Sequence, residues 1–312
     1  MKALVAAIVT QPGRPRGRGN KSIALPSLVA EQALSLGFSE DQILSPAKAT
    51  EAAFLSQLSS IQPDLCVTAA YGNILPQKFL DIPKHGTLNI HPSLLPKYRG
   101  ASPVQRALQD GAEETGVSVA FTVRAMDAGP VLAQERVAVG EAVQAPELLD
   151  NLFRRGIELL IRHLPSVFDG SAQQQATPQD DAAVSHAAKI EKSEGQLDFT
   201  QSARVLHNKV RAFAEWPGTT AMFHLEAAAG EREKDMVVKI IRTCVAEQTE
   251  PETIASTGSL QREVCVTRDR LLVPCAGGGL LDILDLQPPG KKPMHAGAFI
   301  NGLKGRRLYV RS

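Results

Sequence analysis

No apolar run in this sequence of 312 residues approaches the roughly 20 residues needed to span a bilayer, so no membrane-crossing helix is expected. Its four cysteines, Cys66, Cys244, Cys265 and Cys275, form no C-x-x-C pair and no zinc-spaced group. Dispersed through apolar stretches such as DLCVT and LLVPC, they are expected to be buried free thiols in a reducing compartment. The opening residues lack the charged head, apolar centre and small-residue cleavage site of a secretory signal. No self-similarity recurs at a solenoid period. GRGNKS, residues 17–22, lacks the uninterrupted G-K-[ST] ending of a phosphate loop, because Asn20 breaks it. Nor is the composition skewed: 43% hydrophobic and 21% charged residues exclude a disordered or fibrous chain. The length suits two domains of ordinary size.

What is there begins with QPGRPRGRGNK, residues 11–21, which carries Arg14, Arg16, Arg18 and Lys21 and no acid. Its glycines and prolines deny it a helix or a central strand, so an exposed loop after a strand near Val5–Thr10 is expected. Four crowded cations repel one another unless an anion lies between them. The net charge is only +1, and the small basic surplus sits in this loop and beyond residue 200. Those are the places where a polyanion would lie.

Further along, SIALPSLVAEQALSLG and KATEAAFLSQLSS have helical periodicity, DLCVTAAYGNILP and HGTLNIH read as strands, and SPVQRALQDG reads as a helix ended by glycine. The runs VSVAFTVRA and VLAQERVAV read as two more strands, followed by a long amphipathic helix from PELLDNLF to SVFDG. Strand alternating with helix predicts a doubly wound, mostly parallel α/β sheet. SAQQQATPQDDAAVSHA is polar and aperiodic, as a linker is. After it come a helix at SARVLHNKVRAFAE and short β-rich runs, with Gly277–Gly279 as a hairpin turn, which predict a small β-barrel or sandwich. The division expected is 1–168, a linker at 169–195, and 196–312.

Chemistry concentrates in LNIHPSLLPKYRGASP. Asn89 and His91, two apart at the end of a strand, project from one face. One is an amide with two donors, the other an acid or base near neutral pH. Asp127, in AMDAGPV after a later strand, would hold the imidazole and raise its pKa if neighbouring strand ends meet. Together they would be an oxyanion donor, a proton-transfer group and its orienter, with no Ser or Cys nucleophile needed if the substrate brings an amine. Asn-x-His also caps strands, and DAG also makes plain turns. His207, on a helix, reads as a structural residue or an RNA contact.

Seven segments, TQPGRPRGRG, AAYGNILP, LNIHPSLLPKYRGASP, DAGPVL, AAKIEKSEGQLDF, LHNKVRAFAEWPG and GKKPMHAGAFINGL, occur in the order that resembles the methionyl-tRNA formyltransferase family. The resemblance implies formyl transfer from 10-formyltetrahydrofolate to methionyl-initiator tRNA, without a metal, by a monomer. It implies a doubly wound catalytic domain and a carboxyl-terminal barrel like an OB-fold that supports the tRNA. By the same likeness Asn89, His91 and Asp127 are the catalytic trio, Ser93, Leu94, Leu95 and Pro96 the folate-binding turn, and Arg14, Arg16, Arg18 and Lys21 a loop that approaches the acceptor arm. The family has a strand, a glycine-containing loop and a helix before the segment like VAAIVTQP. The expectation is that the first strand is missing here through an incomplete gene model, which would leave open edges and an open core. AMDAGPV lacks the longer acidic form of many bacterial members, which points to an organelle matrix, with a bacterial cytoplasm as the alternative. Two other functions stay open: formyl transfer to a small amine, and a noncatalytic tRNA-binding remnant.

Overall fold

The computed structural model describes residues 4–16, 23–227, 233–246 and 261–311. They divide into two units. The first comprises 1–101, 116–136 and 153–186, and the second 102–115, 137–152 and 187–312. Two segments from the amino-terminal half, 102–115 and 137–152, therefore cluster with the carboxyl-terminal one.

In the first unit the alternation of strand and helix is as the sequence predicts, but the sheet is broken. Among the described residues, strand β1 (Ile8–Val9) pairs only with β4 (Ile43–Leu44), in parallel. Between them in the chain, β2 (Arg14–Arg16) and β3 (Ile23–Leu25) form an antiparallel ribbon. The basic segment expected to be a plain loop is thus partly strand, and so is the start of the stretch expected to be helical from Ser22. Pro15 is tolerated because a two-stranded ribbon leaves its missing N–H on an open edge. Helix α1 (Leu28–Ser35) begins only after Pro26, with the Ser27 hydroxyl accepting from Ala30 N at 3.0 Å.

A second sheet has the order β5 (Cys66–Thr68), β6 (Thr87–His91), β7 (Glu114–Phe121), β8 (Val131–Ala138). β5 and β6 are parallel, with Thr68 beside Asn89, while β7 runs antiparallel to β6, with Ser118 beside His91. The sheet is therefore mixed. Helix α2 (Ala52–Ile61) buries Phe54 and Leu58, four apart and so on one face, and Phe54 stacks on Phe79 at 6.1 Å. The long helix α3 (Ala145–Phe168) lies so close to the sheet that a Cβ on Gly156 would overlap side-chain methyls of Ile90 and Val117. β1 and β5 each keep an edge that no described strand pairs. Gln11 Nε2 donates to Tyr71 O at 2.9 Å between the segments that follow them. Both edges line a cavity of about 1280 Å³, walled by apolar residues including Leu4, Val5, Val67, Leu160 and Phe168.

The second unit is a nearly closed antiparallel barrel with the order β11 (Gln261–Glu263), β16 (Leu308–Arg311), β9 (Thr219–Leu225), β10 (Lys234–Ala246), β14 (Leu280–Gln287), β13 (Leu271–Pro274), β12 (Cys265–Val266); β15 (Met294–His295) adds to β14. The two end strands are consecutive in the chain, joined by the buried Val264. Along β9 alternate residues are buried, Thr219, Ala221, Phe223 and Leu225, as a strand with one face on a core demands. Helix α4 (Ala203–Ala212) buries Leu206 and Val210 in the same core as Phe223, Ile240 and Ile283. A second helix there, α5 (Ala296–Leu303), buries Phe299 in it as well. Gly277–Gly279 joins β13 to β14, with Cys275 N donating to Gly279 O at 2.8 Å. Within this unit Arg106 forms a two-pronged pair with Glu194, at 2.6 and 2.9 Å, which fastens the AAKIEKSEG segment and lowers the carboxyl's pKa.

The cysteines are all free. Cys275 is buried and Cys66 partly so, and burial pushes both thiols up to about 11. Cys265 is exposed, contrary to expectation, on the two-residue end strand β12, both of whose residues are exposed. No helix among the described residues is long and apolar enough to cross a membrane.

Candidate active site

The alternating register of β6 dictates where the site begins. Leu88 and Ile90 point into the core, so Asn89 and His91 leave by the other face, at and near the strand's carboxyl end. The Thr68 hydroxyl, on the neighbouring parallel strand, donates to Asn89 Oδ1 at 2.9 Å. That bond fixes the amide with its NH2 turned outward, and Nδ2 donates to Asp127 Oδ1 at a long 3.4 Å.

Asp127 arrives by a different route from the one expected. β7 is antiparallel to β6, so its carboxyl end lies away from His91, and neighbouring strand ends do not meet there. Instead the loop 122–130 folds back along the sheet. Thr122 N bonds Thr87 O at 2.7 Å at its start, and Phe121 N bonds Pro130 O at 2.9 Å at its finish. The return is tight. Asp127 sits in the left-handed region, φ 50°, and a Cβ on Gly129 would overlap the Phe121 carbonyl oxygen. The glycine of DAG is therefore sterically required.

The three predicted side chains come together. Asp127 Oδ1 lies 3.7 Å from His91 Nδ1, and its other oxygen accepts from Gly100 N at 2.9 Å. At 3.7 Å the carboxylate is a charge neighbour of the imidazole and not its hydrogen-bond partner. The bonded partner is one the sequence did not disclose. His91 Nε2 lies 3.0 Å from the carbonyl oxygen of Tyr98, which can only accept, so Nε2 carries the proton and Nδ1 faces Asp127. Tyr98 also has a positive φ, 59°, which aims that carbonyl at the ring. His91 is buried, and so is the Ser93 that follows it.

Ser93, Leu94, Leu95 and Pro96 form a turn with a cis Leu95–Pro96 peptide. The Ser93 hydroxyl donates to Lys97 O at 2.6 Å, and Leu95 N donates to Ser118 Oγ at 3.0 Å. The Gln134 amide, from β8, donates to Leu95 O and to Ser118 Oγ, both at 2.8 Å. Leu95 and Pro96 line a cavity of about 340 Å³ with residues 131–134 and 177–180. After β5, Tyr71 Oη and Asn73 Nδ2 are buried polar atoms with no hydrogen-bond partner among the described residues, the kind of groups that a polar ligand satisfies.

Arg14 is exposed on the β2–β3 ribbon, and Arg16 ends β2; Arg18 and Lys21 lie outside the described residues. His207 is structural. Its Nε2 donates to Glu141 O at 3.1 Å, its Nδ1 faces Thr243 Oγ1 at 3.0 Å, and burial, then Arg211 and Arg204, push its pKa down to about 4. The segment expected to be a linker is ordered at residues 177–185, where Gln179 and Ser185 bond to the loops around the trio. Their polar, aperiodic surroundings gave no sign of this.

Residues 1–164 match the formyl transferase family and residues 189–304 its carboxyl-terminal domain. Methionyl-tRNA formyltransferase of Myxococcus xanthus is 38% identical over 301 residues, 96% of this chain and 88% of that relative. The enzyme of the same name from Methylococcus capsulatus is also 38% identical, over 99% of this chain and 94% of the relative. Among solved structures, an N-formyltransferase from Helicobacter canadensis, with folinic acid and dTDP-3-aminofucose, superposes with a TM-score of 0.57 at 14% identity, covering 91% of this chain and all of that one. HypX from Aquifex aeolicus reaches 0.56 at 20% identity, over 84% of this chain and 43% of that one, and this likeness too is one of fold. A paired amide, imidazole and carboxylate, on a fold shared with formyl-transferring proteins and in a sequence similar throughout to bacterial enzymes of one name, lead to one assignment: the chain belongs to the methionyl-tRNA formyltransferases of the formyl transferase family.

Proposed function

We propose that this chain moves the formyl group of 10-formyltetrahydrofolate to the α-amine of methionyl-initiator tRNA, with Asn89, His91 and Asp127 as the reacting group's immediate neighbours. The observation that supports it most is their convergence at the end of β6 in a chain so similar to methionyl-tRNA formyltransferases. The amine nitrogen bonds to the formyl carbon, the bond from that carbon to N10 of the folate breaks, and the proton lost by the amine ends on N10. Negative charge on the intermediate's oxygen meets the Asn89 NH2, which carries two hydrogens, one directed at Asp127. His91, with Nδ1 as its basic nitrogen, passes the proton, and the Asp127 carboxylate beside it stabilises the imidazolium that forms.

Ser93–Pro96 would hold the folate, and Tyr71 Oη and Asn73 Nδ2, after β5, are buried polar atoms that a polar ligand could satisfy. Arg14, Arg16, Arg18 and Lys21 would meet phosphates of the acceptor arm, whose order they fix without reading sequence. Residues 1–168 then serve as the catalytic domain, 169–195 as the connection and 196–312 as the tRNA support. The relatives named above are bacterial, so the reaction belongs to a bacterial type of translation, in a cytoplasm or in an organelle matrix that keeps one.

The test is formylmethionyl-tRNA production by the purified chain from methionyl-initiator tRNA and 10-formyltetrahydrofolate. His91→Ala is expected to lower kcat by about 10²–10⁴-fold, the usual range for one positioned acid or base. Product made equally well by the variant would remove His91 from the chemistry. Transfer to a free amino sugar and not to the tRNA would overturn the substrate.

A further inference from the structure

We propose that Gln179 and Ser185, in the segment that leads out of the first unit, are positioning residues for formyl transfer, because they hold in place the two loops that present Asp127 and orient His91. The proposal rests on the catalytic trio described above. Gln179 is placed beneath the Asp127 loop, where its Nε2 donates to the carbonyl oxygens of both Asp127, at 2.8 Å, and Gly129, at 2.7 Å. Its Oε1 accepts from Arg99 Nε at 2.9 Å. One amide thus uses both donors and its acceptor. It staples the backbone on either side of Ala128, where Asp127 adopts a conformation that a non-glycine residue rarely keeps without outside bonds.

Ser185 does the same for the other loop. Its hydroxyl accepts from Tyr98 N at 2.9 Å, its carbonyl from Arg99 N at 2.9 Å, and its own N–H donates to Pro96 O at 3.3 Å. Tyr98 is thereby gripped at its N–H while its carbonyl is held toward His91 Nε2. The carbonyl decides which ring nitrogen carries the proton, so Ser185 acts on the imidazole through one peptide unit. Arg99 ties the two grips together, since its backbone is bonded to Ser185 and its side chain to Gln179. The next residue, Gly100, donates to Asp127. Only glutamine among residues of this size offers two donors and an acceptor here. Glutamate at 179 would set a carboxylate against two carbonyl oxygens.

The experiment is steady-state formylation of methionyl-initiator tRNA by Gln179→Glu, Gln179→Ala and Ser185→Ala, each also made in an Asp127→Asn background. Gln179→Glu is expected to lower kcat by roughly 100-fold, the scale of an ångström's misplacement, and Ser185→Ala by about tenfold, with KM for the tRNA changed less than about threefold. In the Asp127→Asn background the Gln179→Ala loss should nearly vanish, since its route to the reaction is already cut. Nitrogen-15 spectra of His91 should show the Nε2–H form in the parent chain and a mixture of tautomers in Ser185→Ala. A KM effect alone, or a Gln179→Ala loss that stays undiminished in the Asp127→Asn background, would overturn the proposal. Full activity of Asp127→Asn and His91→Ala would instead mark the trio itself as wrong. Ser185→Ala deletes a single hydroxyl at a half-exposed position, so it keeps the test open if a Gln179 variant fails to fold.

Discussion

His91 and His207 show how burial gives one residue type two careers. Both are almost wholly enclosed, and each has a carboxylate oxygen 3.7 Å from one ring nitrogen, Asp127 for His91 and the exposed Glu141 for His207, but the second ring is desolvated with Arg211 and Arg204 nearby. The second environment cannot welcome a proton, and the pKa of His207 falls from 6.5 to about 4. In the unfolded chain the same ring titrates near its ordinary value, so between these two pH values the unfolded state binds more protons. The stability contributed by neutral His207 is therefore complete above about pH 6.5 and is lost as pH falls toward 4. We expect the drop in unfolding free energy between pH 7 and 4.5 to be about 2 kcal/mol smaller in His207→Gln than in the parent, measured by urea denaturation at each pH. An identical drop in both would mean that another group carries the acid sensitivity. At the site, Asp127→Asn is expected to keep the Gly100 N–H bond through its amide oxygen while removing the charge next to Nδ1. A kcat loss with thermal stability retained separates charge from architecture.

In the first unit the proposed site draws on a strand and on loops, Asn89 and His91 from β6 and Asp127 from the loop 122–130. Asn89 and His91 were legible because a period of two on a five-residue strand leaves no other way for them to point. Asp127 was legible only as a member of the group. Its path was not, since nothing in VSVAFTVRA distinguishes a strand parallel to its neighbour from one that reverses. Tyr98, Gln179 and Ser185 left no trace, because a carbonyl aimed by a positive φ and an amide among polar residues have no periodicity to betray them. In the second unit, TTAMFHL at Thr219–Leu225, the helix Ala296–Leu303 and the strand Leu308–Arg311 were missed as elements, although β9 alternates cleanly once its register is known. At this scale Gly129→Ala is the sharp test. The added methyl meets a backbone oxygen that cannot step aside, so the loop must move and Asp127 with it. We expect at least a tenfold loss of kcat with little change in the melting of the second unit, read by formylation and by calorimetry.

For the whole molecule, charge decides how the RNA is approached. A net charge of +1 gives little overall attraction, so local cations must supply it. Arg14→Ala is expected to weaken tRNA binding similarly for all tRNAs and to reduce the slope of log K against log salt by about 0.7–0.9, the share of one phosphate contact. A slope equal to the parent's would place Arg14 away from the backbone.

The open edges of β1 and β5 carry a further consequence, for handling the protein in solution. The cavity between them exposes Leu4 and Val5 and half of Val67, beside backbone groups that no described strand pairs. On such an edge every second amide hydrogen faces away from the pairing strand; Cys66 N is bonded to Gly86 O, so the next amide, that of Val67, should trade hydrogen for deuterium sooner than those of Thr87–His91 on the adjoining strand, which is paired on both sides. An apolar trough of that volume is expected to take up a fluorescent hydrophobic dye in the native state, read as emission at temperatures where the rest of the fold is intact. Storage at high concentration would bring such troughs together first, with unpaired strand edges as the points of adhesion.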